Sequence, residues 1–214
     1  MNIDWRLCLV ADVDAACGRN LVAVVEEAVQ AGVTCVQLRA KHLDGGLFLA
    51  LANNLAEILL PQKIPLFIND RVDVAASCRC QGVHLGQNDL PVPQARRILG
   101  EKSIIGISIN TVQEAKRASQ TGADYLGAGP VFQTRSKSTS YPVLGQKGLR
   151  TIRNAVDLPI LAIGGISPDN AAQVFEAGAD GIAVISAILG HGDIKEATGK
   201  LVRVLPHRPA FSET

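Results

Sequence analysis

Short apolar runs recur along the chain at intervals of roughly 20 to 30 residues, each followed by a turn signal and a segment of helical periodicity, the mark of repeated strand–helix units. Eight such runs stand out: Leu7–Val10, Cys35–Leu38, Leu66–Ile68, Gly82–Leu85, Ile104–Ile107, Tyr125–Gly127, Ile160–Ile163 and Gly181–Ile185. Helical segments lie between them near Asn20–Ala31, Gly46–Leu60, Val72–Cys78, Pro91–Leu99, Thr111–Gln120, Leu149–Ala155 and Pro168–Ala177, with one or two more after Ser186. Runs such as Ile160-Leu161-Ala162-Ile163 are apolar throughout, as expected of strands covered by helices on a parallel sheet. Eight units with no linker-like composition between them predict an α/β chain folded as a single-domain (β/α)8 TIM barrel, with an open doubly wound sheet as the alternative.

A weak internal repeat supports the same organisation. Ala31-Gly32-Val33, Thr121-Gly122-Ala123-Asp124 and Ala177-Gly178-Ala179-Asp180 each place a helix-stopping glycine just before a small residue that leads into the next strand. No low-complexity segment or charge run divides the chain, so the barrel is expected over residues 1–205, with 206–214 as a frayed tail. With 214 residues, one compact fold buries roughly 70% of the unfolded surface.

Charge narrows the partners. The 21 Lys and Arg residues against 20 Asp and Glu leave a net charge of +1, too little field to gather nucleic acid or an anionic membrane. Any anion must therefore be bound locally. The five cysteines are an odd set in mostly apolar stretches and read as reduced, packed thiols of a cytoplasmic protein. Cys78-Arg79-Cys80 lacks the wider spacing of redox and zinc pairs. The start of the chain has no basic patch followed by a long apolar run, and no window reaches the length of a membrane span. Nothing in the sequence commits the chain to an oligomeric state.

In a barrel of this kind chemistry comes from the carboxyl ends of the strands, with phosphate held after strands seven and eight. The strand ends fit that rule. Gln37, Arg39 and Lys41 alternate with Leu38 and Ala40, which puts an amide and two cations on one side; a solvated strand end pairing with Asp44 is the plainer account. Asn69-Asp70-Arg71 follows strand three, and Asp89 follows strand four just before Pro91. Each aspartate could cap the next helix, or the two together could hold a hard cation such as magnesium (Mg2+). His84, inside its strand, reads as a packing or hydrogen-bonding residue, and Ser108 places a hydroxyl at the end of strand five. Gly164-Gly165 before one helix start, and Ser186 at another, are suited to an anion. Gly127 to Lys137 runs from a strand into a loop carrying Thr134, Ser136 and Lys137, donors of the kind phosphate oxygens accept. There is no Gly-x-Ser-x-Gly elbow and no cysteine–histidine motif, so the chemistry is expected to depend on electrostatic stabilisation of phosphate rather than on a protein nucleophile.

Six stretches resemble the thiamine phosphate synthase family: Val36-Gln37-Leu38-Arg39-Ala40-Lys41, Ile68-Asn69-Asp70-Arg71, Gly82-Val83-His84-Leu85-Gly86-Gln87, Gly129-Pro130-Val131-Phe132, Thr134-Arg135-Ser136-Lys137 and Ala162-Ile163-Gly164-Gly165-Ile166. They span nearly the whole chain in order. The resemblance implies a magnesium-dependent barrel enzyme that joins a hydroxymethylpyrimidine diphosphate to a thiazole phosphate and releases diphosphate through a dissociative, carbocation-like step. By motif it implies that Gln37, Leu38, Arg39, Ala40, Lys41, Asn69, Ser108 and Lys137 bind the pyrimidine diphosphate, with Arg39, Lys41, Lys137 and Ser108 serving catalysis. It implies Asp70 and Asp89 for the metal, and Thr134, Arg135, Ser136, Gly165, Ile185 and Ser186 for the thiazole phosphate. Cys8, Ala40 and Ile109-Asn110 depart from the family's frequent tyrosine, glutamate and Thr-His. A related thiazole tautomerase and a non-catalytic phosphate-binding barrel are the rival expectations; Asp89 and the Gln37, Arg39, Lys41 set favour the synthase.

Overall fold

A computed structural model describes residues 3–134 and 141–207. Eight parallel strands form a closed barrel in sequence order: β1 (Leu7–Asp12), β2 (Cys35–Arg39), β3 (Leu66–Asn69), β4 (Gly82–Leu85), β5 (Ile104–Ile109), β6 (Tyr125–Ala128), β7 (Ile160–Ile163) and β8 (Gly181–Val184). β8 returns to β1 with Leu7 beside Ile182 and Leu9 beside Val184. The helices are α1 (Leu21–Gln30), α2 (Gly45–Leu59), α3 (Val72–Ser77), α4 (Val92–Leu99), α5 (Val112–Gln120), α6 (Gly145–Arg153), α7 (Ala171–Glu176), α8 (Ser186–Leu189) and α9 (Ile194–Val202). The chain is a single (β/α)8 barrel, and the open-sheet alternative falls away.

Burial more than local capping holds the helices to it. α1 carries Leu21, Val24, Val25, Ala28 and Val29 at helical spacing on its buried face, and Asn20 caps it by accepting from the amides of Val22 and Ala23. Each buried Val or Leu contributes about 1.5–3 kcal/mol, against about 1 kcal/mol for the cap. The repeated glycines do end helices: Gly32, Gly122 and Gly178 all have positive φ, and the next residue's amide reaches back five positions in each case, Val33 to Ala28, Ala123 to Ala118 and Ala179 to Val174.

A second repeat ties the strands in pairs. Thr34, Gln81, Asp124 and Asp180 each stand immediately before an even-numbered strand, and their side chains accept the amides of Leu7, Leu66, Ile105 and Ile160 at 3.0, 2.8, 2.7 and 2.8 Å. Each of the four returns its own backbone amide to the carbonyl of the same partner at 2.8–2.9 Å. The amino-terminal end of the barrel is filled by Trp5, Phe67 and Tyr125, with ring centroids 4.5–5.5 Å apart. Inside the barrel the polar side chains of Gln37, Asn69 and Ser108 lie toward the opposite end, on a cavity.

Several boundaries differ from expectation, most by a single residue. β1 and β5 run two residues further, to Asp12 and Ile109, because their ladders with β2 and β6 continue through polar positions. The helix expected at Leu149–Ala155 is α6, Gly145–Arg153, beginning where the Gly145 amide bonds Val131 O at 3.0 Å. The stretch from Pro168 to Asn170 is a turn before α7, closed by Asn170, whose side chain accepts from Ser167 N and donates to Gly165 O, both at 2.9 Å. After Ser186 there are two helices, α8 and α9. Of the expected tail, Pro206 and His207 are described, and Pro206 O accepts from Arg6 at 3.2 Å; residues 208–214 lie outside the described residues. No helix among the described residues is long and apolar enough to cross a membrane, and all five cysteines are free thiols.

Candidate active site

The carboxyl ends of the strands open on a cavity of 380 Å³. Gln37, Arg39, Lys41, Asn69, Asp70, Asp89 and Ser108 line it from one side, and Thr134, Gly165, Ile185 and Ser186 from the other, so the two anion sites expected at separate strand ends share one space. Leu38 and Ala40 are not in the lining; both alternate away from it and are buried. Arg135, Ser136 and Lys137 lie outside the described residues.

The cations on β2 are already paired. Arg39 forms an ion pair with Asp12, a buried carboxylate at the end of β1 that faces it in register, and Lys41 pairs with Asp70. Neither uses Asp44. Gln37 donates to Asn69 Oδ1 at 2.8 Å, tying β2 to β3 beneath the ion pairs. Asp12 was not anticipated from the sequence; its apolar run ends at Val10, and only the barrel register brings it to Arg39.

Neither aspartate of the expected metal pair caps a helix. The residue capping α3 is Arg71, without a side-chain cap, and that capping α4 is Pro91. Asp89 instead accepts from the Gly86 amide at 2.6 Å. Burial opposes ionisation of Asp70, but hydrogen bonds with Lys41 and Asp89 more than offset it and hold the carboxyl below its ordinary value. Burial, and then the Asp70 carboxylate, push Asp89 above its ordinary value. The two carboxyls thus share a hydrogen bond from adjacent strand ends, an arrangement a hard cation can take over by replacing the proton. Among the described residues, Arg39 and Lys41 stand beside Asp12, Asp70 and Asp89, so a divalent cation held by the last two would add positive charge to this end of the barrel. No group of three or more His, Cys, Asp or Glu residues arranged for a metal occurs among the described residues. The set that remains, two carboxylates with room for water and phosphate oxygen, is the donor pattern of magnesium.

On the far side, the segment leaving β6 lies along the end of β7. Val131 N donates to Ile163 O and Phe132 N to Gly164 O, both at 2.9 Å. Gly165 has φ +66, and a Cβ there would lie 2.4 Å from Gln133 O, so only glycine admits this approach, which carries the chain to Thr134. Asn110, buried at the end of β5, donates from Nδ2 to Gly129 O and to Pro142 O, both at 3.0 Å, joining the two described ends of this loop. His84 is indeed hydrogen-bonded and buried, but it also lines the cavity, between Tyr125 and Ser108.

Comparison with known proteins gives a consistent result. The family model described as thiamine monophosphate synthase matches residues 7–188. The thiamine-phosphate synthase of Albidiferax ferrireducens is 51% identical over 188 residues, covering 88% of this chain and 86% of the relative. That of Clostridium tetani is 46% identical over 200 residues, covering 94% and 95%. Among solved structures, the thiamine phosphate pyrophosphorylase of Pyrococcus furiosus superposes with a TM-score of 0.87 at 38% identity, covering 94% of this chain and 95% of that one.

Proposed function

The chain belongs to the thiamine monophosphate synthase family and is a transferase, and on that premise we propose that it joins a hydroxymethylpyrimidine diphosphate to a thiazole phosphate, forming thiamine phosphate and releasing diphosphate with the help of magnesium. The supporting observation is the single cavity onto which the β2–β5 ends and the β7–β8 ends both open, close enough for two phosphorylated substrates to react. The catalytic unit is taken as residues 1–205.

Asp70 and Asp89 would hold the metal, which supplies positive charge to the departing diphosphate. Lys41 and Arg39 exchange their partners Asp70 and Asp12 for phosphate oxygens, and Lys137 adds a further cation. Charge grows on the leaving oxygen as its bond to the pyrimidine methylene breaks, and these cations stabilise that charge more than the ground state. The electron-deficient methylene carbon is then captured by the thiazole nitrogen lone pair, so no protein nucleophile is needed. Thr134, Arg135, Ser136, Gly165, Ile185 and Ser186 hold the thiazole phosphate, and Gln37, Asn69 and Ser108 orient the pyrimidine. Leu38 and Ala40, turned from the cavity, are left with backbone contacts alone.

The test is turnover of the purified protein with both substrates, with and without chelator. Formation of thiamine phosphate and diphosphate, abolished by chelator and restored by magnesium, is expected. Isomerisation of a thiazole without coupling would replace this function with that of the tautomerase, and full coupling in chelator would remove the metal from it.

A further inference from the structure

A chain of three side chains crosses β4, β5 and β6, and of the three only Ser108 has a share in the chemistry above. His84 Nδ1 lies 3.0 Å from the Tyr125 hydroxyl, and His84 Nε2 lies 3.0 Å from Ser108 Oγ. The wall of the barrel is shaped to admit the two rings. A Cβ on Gly106 would lie 2.1 Å from the Tyr125 ring, and a Cβ on Gly127 would lie 2.7 Å from His84 Cε1. Tyr125 is 1% exposed, wedged against Trp5 and Phe67, while Ser108 at the other end of the chain opens on the cavity.

The direction of these hydrogen bonds follows from the buried end. A phenol has one proton, and leaving a buried O–H undonated costs about 1–3 kcal/mol. The structure offers that proton His84 Nδ1. Burial raises the Tyr125 phenol well above its ordinary pKa, so the proton is present at neutral pH. Nδ1 is then the acceptor, which makes the neutral imidazole the Nε2–H tautomer. Nε2–H donates to Ser108 Oγ, and the serine's own proton, unable to point back at a donor, turns into the cavity. The backbone of Ser108 is fixed as well: Gln87 Nε2 donates to Ser108 O at 2.7 Å, and Gln87 Oε1 accepts from Arg117 at 2.7 Å.

We propose that Tyr125 and His84 are positioning residues that hold the Ser108 hydroxyl as an obligate hydrogen-bond donor toward the substrate. Ser108 then recognises an acceptor on the pyrimidine diphosphate, a ring nitrogen or a phosphate oxygen, and discriminates against a donor such as an amino group. For its ligand this rests on the reaction proposed above; the tautomer of His84 does not.

Two measurements test it. Proton–nitrogen correlation spectra of histidine-labelled protein, with His84→Gln to identify the resonances, should show His84 as the Nε2–H tautomer in the unmodified chain. An Nδ1–H tautomer overturns the proposal, and this measurement holds even if wild-type protein forms no thiamine phosphate, an outcome that would fall on the reaction instead. In steady-state kinetics, Tyr125→Phe should raise KM for the pyrimidine diphosphate roughly five- to tenfold while KM for the thiazole phosphate stays within about twofold. Tyr125→Phe combined with Ser108→Ala should be no worse than Ser108→Ala alone, because both act through one hydroxyl. Additive losses, or equal losses for both substrates, overturn it. Binding of inorganic diphosphate alone separates the two acceptors: weakening by Tyr125→Phe assigns the phosphate oxygen, and unchanged binding with the raised KM assigns the ring nitrogen.

Discussion

Asp70 has φ +64, a left-handed conformation that Asp and Asn tolerate better than most residues with a side chain. Its amide donates to His84 O and the next amide to Asn69 O, both at 2.8 Å, so the turn is pinned from two directions and aims the carboxyl across the cavity mouth instead of along α3. Asp70→Asn keeps the backbone preference and removes the charge. It should shift the melting temperature little, by the equivalent of about 0.5 kcal/mol, and raise the magnesium concentration for half-maximal rate about tenfold or more. Lower stability with unaltered magnesium dependence would return Asp70 to a structural role. Asn110 makes a different case. Both protons of its amide nitrogen are used, on Gly129 O and Pro142 O, so Asn110→Ala should cost about 1–3 kcal/mol in urea denaturation. Asn110→Asp, which sets a carboxylate against two carbonyl oxygens, should cost more than Ala; a milder effect for Asp would mean that the amide does not hold the loop. Of the charged residues that line the cavity, Arg39, Lys41, Asp70 and Asp89 were legible in the sequence because their residue types betray them. The partners were less so. Asp12 meets Arg39 through strand register, and Tyr125, His84 and Ser108 meet across separations of 41 and 24 residues, which no local pattern encodes.

At the level of elements, the four clasps before the even-numbered strands join β1 to β2, β3 to β4, β5 to β6 and β7 to β8. Asp124 accepts from the Ile105 amide at 2.7 Å and from Arg96 at 2.6 Å, so Asp124→Ala leaves a strand amide without its acceptor and removes the one carboxylate among the acceptors of Arg96. A loss of about 1–3 kcal/mol in urea denaturation is expected. Asp124→Asn, which retains an acceptor oxygen, should lose less than half as much; equal losses would show that charge, not acceptance, matters. The glycine and aspartate repeats around Gly122 and Gly178 were visible in the sequence, whereas the clasps made by Thr34 and Gln81 were hidden. The job needs only a side-chain oxygen at one position, and a hydroxyl, an amide and a carboxylate all supply it. Strand beginnings were plain because apolar runs start abruptly there, but strand ends carry the polar site residues and so look like loop. α6 was misplaced because Gly145 and Gly148 weaken its local helical signal, and contacts with Val131 and Leu144 override it.

Across the whole molecule, closure of the sheet brings Gln37 and Ser186 to one cavity, and the same closure brings the first and last described segments together, with Arg6 donating to Pro206 O. The pairing of strands by clasps then has a consequence for how the barrel tolerates being re-threaded. A circular permutant linked through its old ends and opened between Gln62 and Lys63, an exposed site between two clasped pairs, keeps every clasp within a short stretch of chain. One opened at Gly32 turns the Leu7–Thr34 clasp and the β1–β2 ladder into contacts between opposite ends of the new chain. Each opening makes one ladder an end-to-end contact, β2–β3 in the first and β1–β2 in the second. Only the second also separates a clasp, which then closes over a long loop, at an entropic cost that slows folding. The Lys63 permutant should therefore refold faster than the Gly32 permutant in stopped-flow experiments, and equal rates would mean that the strand pairs are not units of assembly. The barrel is, on this view, four two-stranded modules arranged in a ring, with preferred seams at which it can be cut.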